Sequence, residues 1–203
     1  MTQNKTIIGL TGGSGAGKGE AAKVLAMLSS EIICADSVAH QVILKGKPAH
    51  QRIVDAFGDV VDDQGEIDRR KLREIVFANK AQLKLLEDCV QDFIIAEILS
   101  IAASLGEFVV IDAPLLFQSG LDKICDVTLG IFAPLDVRIQ RICERDGLTR
   151  HEAMMRINNQ MTDLELEELV EYKINNDGTL EELDEKIHNF YDAIFAGSVW
   201  EQG

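Results

Sequence analysis

Seven residues near the start of the chain, Gly12-Gly13-Ser14-Gly15-Ala16-Gly17-Lys18, carry the clearest chemistry because they fit the spacing G-x-x-x-x-G-K. Glycines let a backbone curl until successive N–H groups point inward at an anion. A helix beginning near Lys18 would add the positive end of its dipole, and the lysine would reach the outermost phosphates as a point charge. The pattern needs a strand before it, and Ile7-Ile8-Gly9-Leu10 reads as a short buried one. Beyond the loop, Ala21, Val24, Leu25 and Leu28 recur at helical spacing. A glycine-rich turn with a chance lysine requires neither flank, so phosphate binding is the reading that both support. One position departs from the pattern. Gly19, followed by Glu20, stands where a serine or threonine hydroxyl would ligate Mg²⁺. Either the metal is held through water and other carboxylates, or metal-assisted catalysis is impaired.

Other groups fit phosphoryl chemistry. Phe108-Val109-Val110-Ile111-Asp112 is an apolar run closed by an acid, a pattern in which the carboxylate sits at the carboxyl end of a buried strand and holds Mg²⁺ directly or through water. Asp36 follows a second predicted strand, Glu31–Ala35, on the side where ligands gather in open α/β sheets. It could take a proton from a substrate hydroxyl; as the cap of the next helix it would serve equally well. Arg141, Arg145 and Arg156 are the cations to expect over phosphates, since the guanidinium fork matches their oxygens. Arg69, Arg70, Lys71 and Arg73 form a second basic cluster, which either receives an anionic substrate or is the polar face of a helix.

The elements that must position these groups alternate between strand and helix. From about residue 37 to Gly106 the sequence reads as mostly helical. Asp68 is placed to cap a helix carrying Leu72, Ile75 and Val76, and Leu83, Leu86, Val90, Phe93, Ile94, Ile98 and Ile101 mark a long amphipathic one. Strands are expected at Phe108–Ile111, Val127–Phe132 and Tyr172–Asn176. Pro134 opens a helix with Val137, Ile142 and Cys143 inward and Arg138, Arg141 and Arg145 on its polar sides. Thr149/Glu152, Thr162/Glu165 and Thr179/Glu182 are capping boxes, and the tail is expected to fray from Gly197. This alternation predicts an α/β fold with a parallel sheet covered on both faces.

Composition narrows the class. The chain has 203 residues, 46% of them apolar and 27% charged, enough for one compact domain with inserted helices. Its net charge of −14 excludes broad nucleic-acid binding and requires any phosphate site to be built from local donors. No apolar run approaches membrane-spanning length, and Met1 to Thr6 is polar and unlike a signal, so a cytoplasmic setting is expected. Cys34, Cys89, Cys125 and Cys143 form no Cys-x-x-Cys pair, and each is expected to be a small buried apolar residue.

Together these segments resemble the dephospho-coenzyme A kinases from about Ile7 to Ile187. The residues that carry the likeness are Ile8 to Lys18, Ala35-Asp36, Phe57-Gly58, Gly65 to Leu72, Val76-Phe77 and Pro114-Leu115-Leu116-Phe117. Arg141, Arg145-Asp146-Gly147, Arg156-Ile157 and Gln160-Met161 are similar to the family's ATP lid, and Asn176 to Thr179 to its closing segment near the adenine. The resemblance implies a single P-loop kinase domain over 1–203. Its core would be about 6–36, 107–134 and 170–196, with a helical substrate insert at about 37–106 and a lid at about 138–169. It implies transfer of the γ-phosphate of ATP to the ribose 3′-hydroxyl of dephospho-coenzyme A, with Mg²⁺ and without nucleic acid or membrane partners.

Residue by residue, Asp36, Lys18 and Arg141 would be catalytic, and Asp112 would hold the metal. Gly13, Ser14, Gly15, Ala16, Gly17, Lys18, Gly19, Glu20, Arg145 and Asn176 would bind ATP. Asp36, Arg69, Arg73, Leu115 and Phe117 would meet the acceptor. The chain departs from the family at Gly19, at Cys34, at Val90-Gln91-Asp92, at Gln118 and at Asn175. These departures mark a divergent member and keep two alternatives in view, a catalytically weakened nucleotide-binding homologue and a P-loop kinase with a related acceptor.

Overall fold

The structure, a computed structural model, describes residues 5–28 and 30–200. The chain forms two compact units: residues up to Ile32 together with those from Leu105 onward, and a second unit of Ile33–Ser104. A five-stranded sheet has the order β2-β3-β1-β4-β5. Its strands are β1 (Thr6–Thr11), β2 (Glu31–Cys34), β3 (Phe108–Asp112), β4 (Val127–Phe132) and β5 (Tyr172–Asn175). β1 pairs in parallel with β3 and with β4, and β4 in parallel with β5. Such strands read as unbroken apolar runs because helices cover both faces. Phe108 to Ile111 and Leu129 to Phe132 are buried accordingly.

In the first unit, helix α1 (Lys18–Met27) packs with the terminal helix α9 (Leu180–Trp200) over the sheet. Val24 and Leu25 of α1 and Leu183, Ile187 and Phe190 of α9 join Ile8, Leu10, Val110, Leu129 and Ile131 in one core. α6 (Leu135–Asp146), α7 (Arg150–Asn158) and α8 (Asp163–Leu169) fill the stretch between β4 and β5. Both predicted capping boxes form there, at Thr149/Glu152 and at Thr162/Glu165. Hydrogen bonds from the threonines hold both glutamate carboxyls below the usual carboxylate range. Thr179 and Glu182 make the same reciprocal bonds ahead of α9. The tail expected to fray from Gly197 is helical to Trp200.

In the second unit, α2 (Ala35–Val42), α3 (Pro48–Phe57) and α4 (Arg69–Ala78) each pack on the long α5 (Lys80–Ser104). Asp68 caps α4 as predicted, accepting from the N–H groups of Arg70 and Lys71 at 3.0 and 3.1 Å. Ile53, Val60, Ile67, Leu72, Val76 and Cys89 form this unit's core.

Four local expectations change. β2 ends at Cys34, so Asp36 lies in the first turn of α2 instead of closing a strand, and Cys34 occupies the cap position. Cys34 is exposed, whereas Cys89 is buried and Cys125 and Cys143 are half-buried. Leu83 is also exposed, and the buried residues of α5 are Cys89, Ile98 and Ala102. Arg138 is buried, for a reason found at the phosphate loop. Residues 1–4, within the polar start, lie outside the described residues, and among the described ones no helix is long and apolar enough to cross a membrane.

Gly9 shows how tightly the central strand is enclosed. A Cβ there would stand 2.8 Å from both Leu116 Cδ2 and Cys125 Sγ, and burial pushes the Cys125 thiol up to about 12. Gly9→Ala should therefore destabilise by about 1–3 kcal/mol through overpacking. Leu116→Ala should cost about 2–5 kcal/mol through the void it opens. The double variant should lose clearly less than the sum in denaturant unfolding, because each change relieves the other; simple additivity would show that the two sites are not in contact.

Candidate functional site

The loop between β1 and α1 is shaped by glycines that have no room for side chains. Gly15 and Gly17 have φ of +79° and +98°, in the left-handed region. A Cβ on Gly15 would lie 2.5 Å from the Arg138 carbonyl oxygen, and one on Gly13 would collide with the Arg138 guanidinium. One on Gly17 would run into the Asn176 amide. Gly17 is also the residue from which α1 starts, so the backbone turns directly into a helix N-terminus, the arrangement that binds phosphate. Gly19, by contrast, has nothing within 4 Å of an added Cβ.

Register brings the acid to the lysine. β1 and β3 pair with Leu10 opposite Asp112, and the Ala113 N–H continues the ladder to the Leu10 carbonyl at 3.0 Å. Asp112 therefore ends its strand where the loop begins, and its carboxylate forms an ion pair with Lys18. Both side chains are mostly shielded, 15% and 19% exposed, so each needs the other's charge. Glu20 pairs instead with Lys23 at 2.8 Å and is exposed.

α6 supplies the cations. Arg141 donates to the carbonyls of Gly15 and Ala16 at 3.4 Å and to Asn176 Oδ1 at 3.5 Å. Arg145 donates to both oxygens of Asp146 at 2.7 and 2.8 Å, and Arg156 of α7 reaches the same carboxylate at 2.7 Å. The Arg145 hydrogen bond, with its charge and that of Arg156, holds the Asp146 carboxyl below the usual range. Gly13, Ser14, Gly15, Gly17, Lys18, Gly19 and Glu20 line one cavity of about 660 Å³ together with Arg141, Arg145, Arg156 and Gln160. The loop and the lid arginines are thus brought together.

Other sequence-predicted residues sit elsewhere. Ala16 is buried beneath the loop. Asn176 is 4% exposed, and its amide donates to the Ala16 carbonyl at 2.8 Å, bracing the loop from behind. Phe117 packs against the cluster of Phe132, Leu166 and Val170, while Leu115 is exposed. Asp36, Arg69 and Arg73 belong to the second unit, where all three are exposed on α2 and α4.

Two residues make contacts that the sequence does not show, Arg138 and Gln160. Arg138 is 3% exposed, on the same face of α6 as Ile139 and Ile142. Its Nε donates to the Ser14 carbonyl at 2.9 Å, and its Nη1 to both oxygens of Asp163 at 2.6 and 2.8 Å. Gln160 Oε1 accepts from the Ser14 N–H at 2.8 Å. The available signal was an arginine at helical spacing within an apolar stripe.

The sequence model of the family described as dephospho-CoA kinase matches residues 6–182. A dephospho-CoA kinase of Lactobacillus johnsonii is 36% identical over 192 residues, 92% of this chain and 97% of that protein. Among solved structures, a Thermus thermophilus protein has a TM-score of 0.80 and 28% identity, covering 96% of this chain and 98% of its own. The dephospho-CoA kinase from Campylobacter jejuni has a TM-score of 0.67 and 25% identity, with 95% and 98% covered.

The glycine geometry separates two substitutions that look alike in sequence. Gly15→Ala should weaken MgADP binding by about tenfold or more, since the left-handed backbone alone costs about 1–2 kcal/mol. Gly19→Ala should leave the affinity within about twofold and raise unfolding stability by about 0.5–1 kcal/mol. Calorimetric titration and thermal unfolding of both variants check this, and equal losses would mean that the loop does not hold the nucleotide in this shape.

Proposed function

The chain belongs to the dephospho-CoA kinase family, and from that premise we propose that it transfers the γ-phosphate of ATP to the ribose 3′-hydroxyl of dephospho-coenzyme A. The observation that carries the reading is the glycine loop with Lys18 paired to Asp112 and facing the lid arginines across one cavity. The family match over residues 6–182 does not favour the weakened-homologue reading.

In the proposed mechanism the loop N–H groups and Lys18 bind the β- and γ-phosphates of ATP. Lys18 turns from Asp112 to the phosphates as they arrive. Asp112 then loses its lysine partner in a mostly shielded position and requires another cation. A single carboxylate completed by phosphate oxygens and waters is an ordinary set for Mg²⁺, so the residues present fit the metal, with Asp112 as its holder and no ligand from Gly19. When bound, Mg²⁺ would neutralise charge on the phosphate oxygens.

Asp36 acts as the general base and receives the proton of the 3′-hydroxyl. The hydroxyl oxygen bonds to the γ-phosphorus, the bond from that phosphorus to the bridging oxygen breaks, and ADP leaves with the electron pair. Arg141 stabilises the charge on the transferring group; Arg145 closes over ATP and helps to exclude water. Asn176 supports ATP binding through the Ala16 carbonyl. Arg69 and Arg73 attract the anionic acceptor, and Leu115 and Phe117 meet its less polar parts. A cytoplasmic setting agrees with such a soluble pair of substrates.

ADP release with ATP and dephospho-coenzyme A as substrates tests the proposal. The parent protein should turn over, and Asp36→Asn should lower kcat by about 10²-fold or more while the KM for ATP changes little. No turnover on this acceptor, or an unchanged kcat in the variant, would overturn the substrate or the base respectively.

The open space at Gly19 makes a second test clean. Gly19→Ser adds a hydroxyl at the helix start without a clash. The Mg²⁺ concentration at half-saturation should fall, because a protein oxygen replaces a water, and the transfer rate should rise. No change in either quantity would show that glycine at this position is no deficit, with Asp112 and the nucleotide sufficient for the metal.

A further inference from the structure

Arg138 carries a full charge with only 3% of its surface exposed. A charge so buried persists only with partners for its donors. Those partners are two separate features of the site, the Ser14 carbonyl at the apex of the loop and the Asp163 carboxylate, first residue of α8. The apex also rests on this residue sterically. Gly13 lies against its guanidinium and Gly15 against its backbone, with no space for a Cβ at either.

Orientation follows from the planarity of the peptide. In a trans peptide the C=O and the next N–H point in opposite directions. Nε of Arg138 holds the Ser14 carbonyl, so the Gly15 N–H of the same plane is turned away from Arg138, and Gly15 lines the cavity. The other side of Ser14 is held by the same turn that supplies Asp163: its N–H donates to Gln160, three residues before that acid. A phosphate oxygen can take this N–H from neutral Gln160. It does not displace the Ser14 carbonyl from the Nε donor of Arg138, because that guanidinium is buried and anchored by its ion pair with Asp163.

We propose that Arg138 is a positioning residue for nucleotide binding: through the Ser14 carbonyl it fixes the peptide plane that aims the Gly15 N–H at the phosphates, and Asp163 holds it in that task. Arg138 itself touches no substrate. The proposal rests on the reading of this cavity as the ATP site. It separates two roles that a buried ion pair can have, stabilising the fold and setting the loop.

The test uses MgADP titration by calorimetry, thermal unfolding, and steady-state kinetics on the intact chain. Asp163→Asn leaves Arg138 charged and poorly paired, so both Tm and affinity should fall, whereas Asp163→Glu should keep the affinity within about threefold by restoring the charge. The decisive variant carries Arg138→Met and Asp163→Leu together. It removes both charges, so the fold should remain stable, yet nothing donates to the Ser14 carbonyl. MgADP should bind it about tenfold or more weakly, as expected for losing a charge-assisted hydrogen bond. The KM for ATP should rise in parallel while the KM for the acceptor stays within about twofold. A stable double variant that binds MgADP like the parent overturns the inference and leaves the site reading intact. A parent chain that binds no MgADP overturns the site reading and the inference together.

Discussion

The register between β1 and β3 is the constraint on which the phosphate site depends. Leu10 stands opposite Asp112, one residue before Thr11 and the glycine loop. A one-residue slip would turn every side chain of the strand to the other face and take Asp112 away from Lys18, 94 residues distant in sequence. The slip is opposed by burial. Ile8 and Leu10 pack in one core with Val110, Leu129 and Ile131, while Gly9 admits Leu116 and Cys125 on the opposite side. The chemistry at the strand ends is therefore fixed by the packing at their middles.

A second constraint is charge. With a net charge of −14 the protein as a whole repels a triphosphate, and the site answers with cations that are already partnered. Lys18 is held by Asp112, and Arg145 and Arg156 share Asp146. Arg141 meets the neutral oxygens of Gly15, Ala16 and Asn176. An arriving anion thus exchanges ion pairs instead of adding to unpaired charges. Such an exchange costs less than creating isolated cations would, and in the proposed mechanism it leaves Asp112 in need of positive charge.

Much of this was legible in the sequence, where the causes are local. The loop, the cap at Asp68 and the three threonine boxes are written within four to seven consecutive residues, and the cap and the boxes form their expected hydrogen bonds. Arg138 reads as a polar-face residue because helical periodicity tells which residues share a face and says nothing about what that face meets. Its partner Ser14 is 124 residues away. Asn176 resembles a residue near the adenine, and the contact its buried amide makes, to the loop carbonyl 160 residues earlier, is equally out of reach of local pattern. Asp36 reads as a strand end because β2 gives way to α2 without a loop, with Cys34 making no side-chain bond at the cap. No turn or capping residue punctuates that junction.

The glycines of the loop separate what the fold demands from what the chemistry demands. Gly13, Gly15 and Gly17 are forced: their Cβ positions are occupied by Arg138 or Asn176, and two of them also need left-handed backbone. Gly19 is not forced. It lies in the first turn of α1 with open space around it, and a serine there would cost no packing. The absence of a hydroxyl at this position therefore has no explanation in the fold, and in the proposed mechanism its consequence falls on the metal alone. With Glu20 turned to Lys23, Asp112 is the carboxylate that the proposed mechanism leaves for the metal. In that proposal Asp112 would hold Mg²⁺ together with the nucleotide and water, a set suited to an ion that keeps much of its hydration. On that proposal the site would do without the usual hydroxyl, provided the strand register keeps Asp112 beside Lys18.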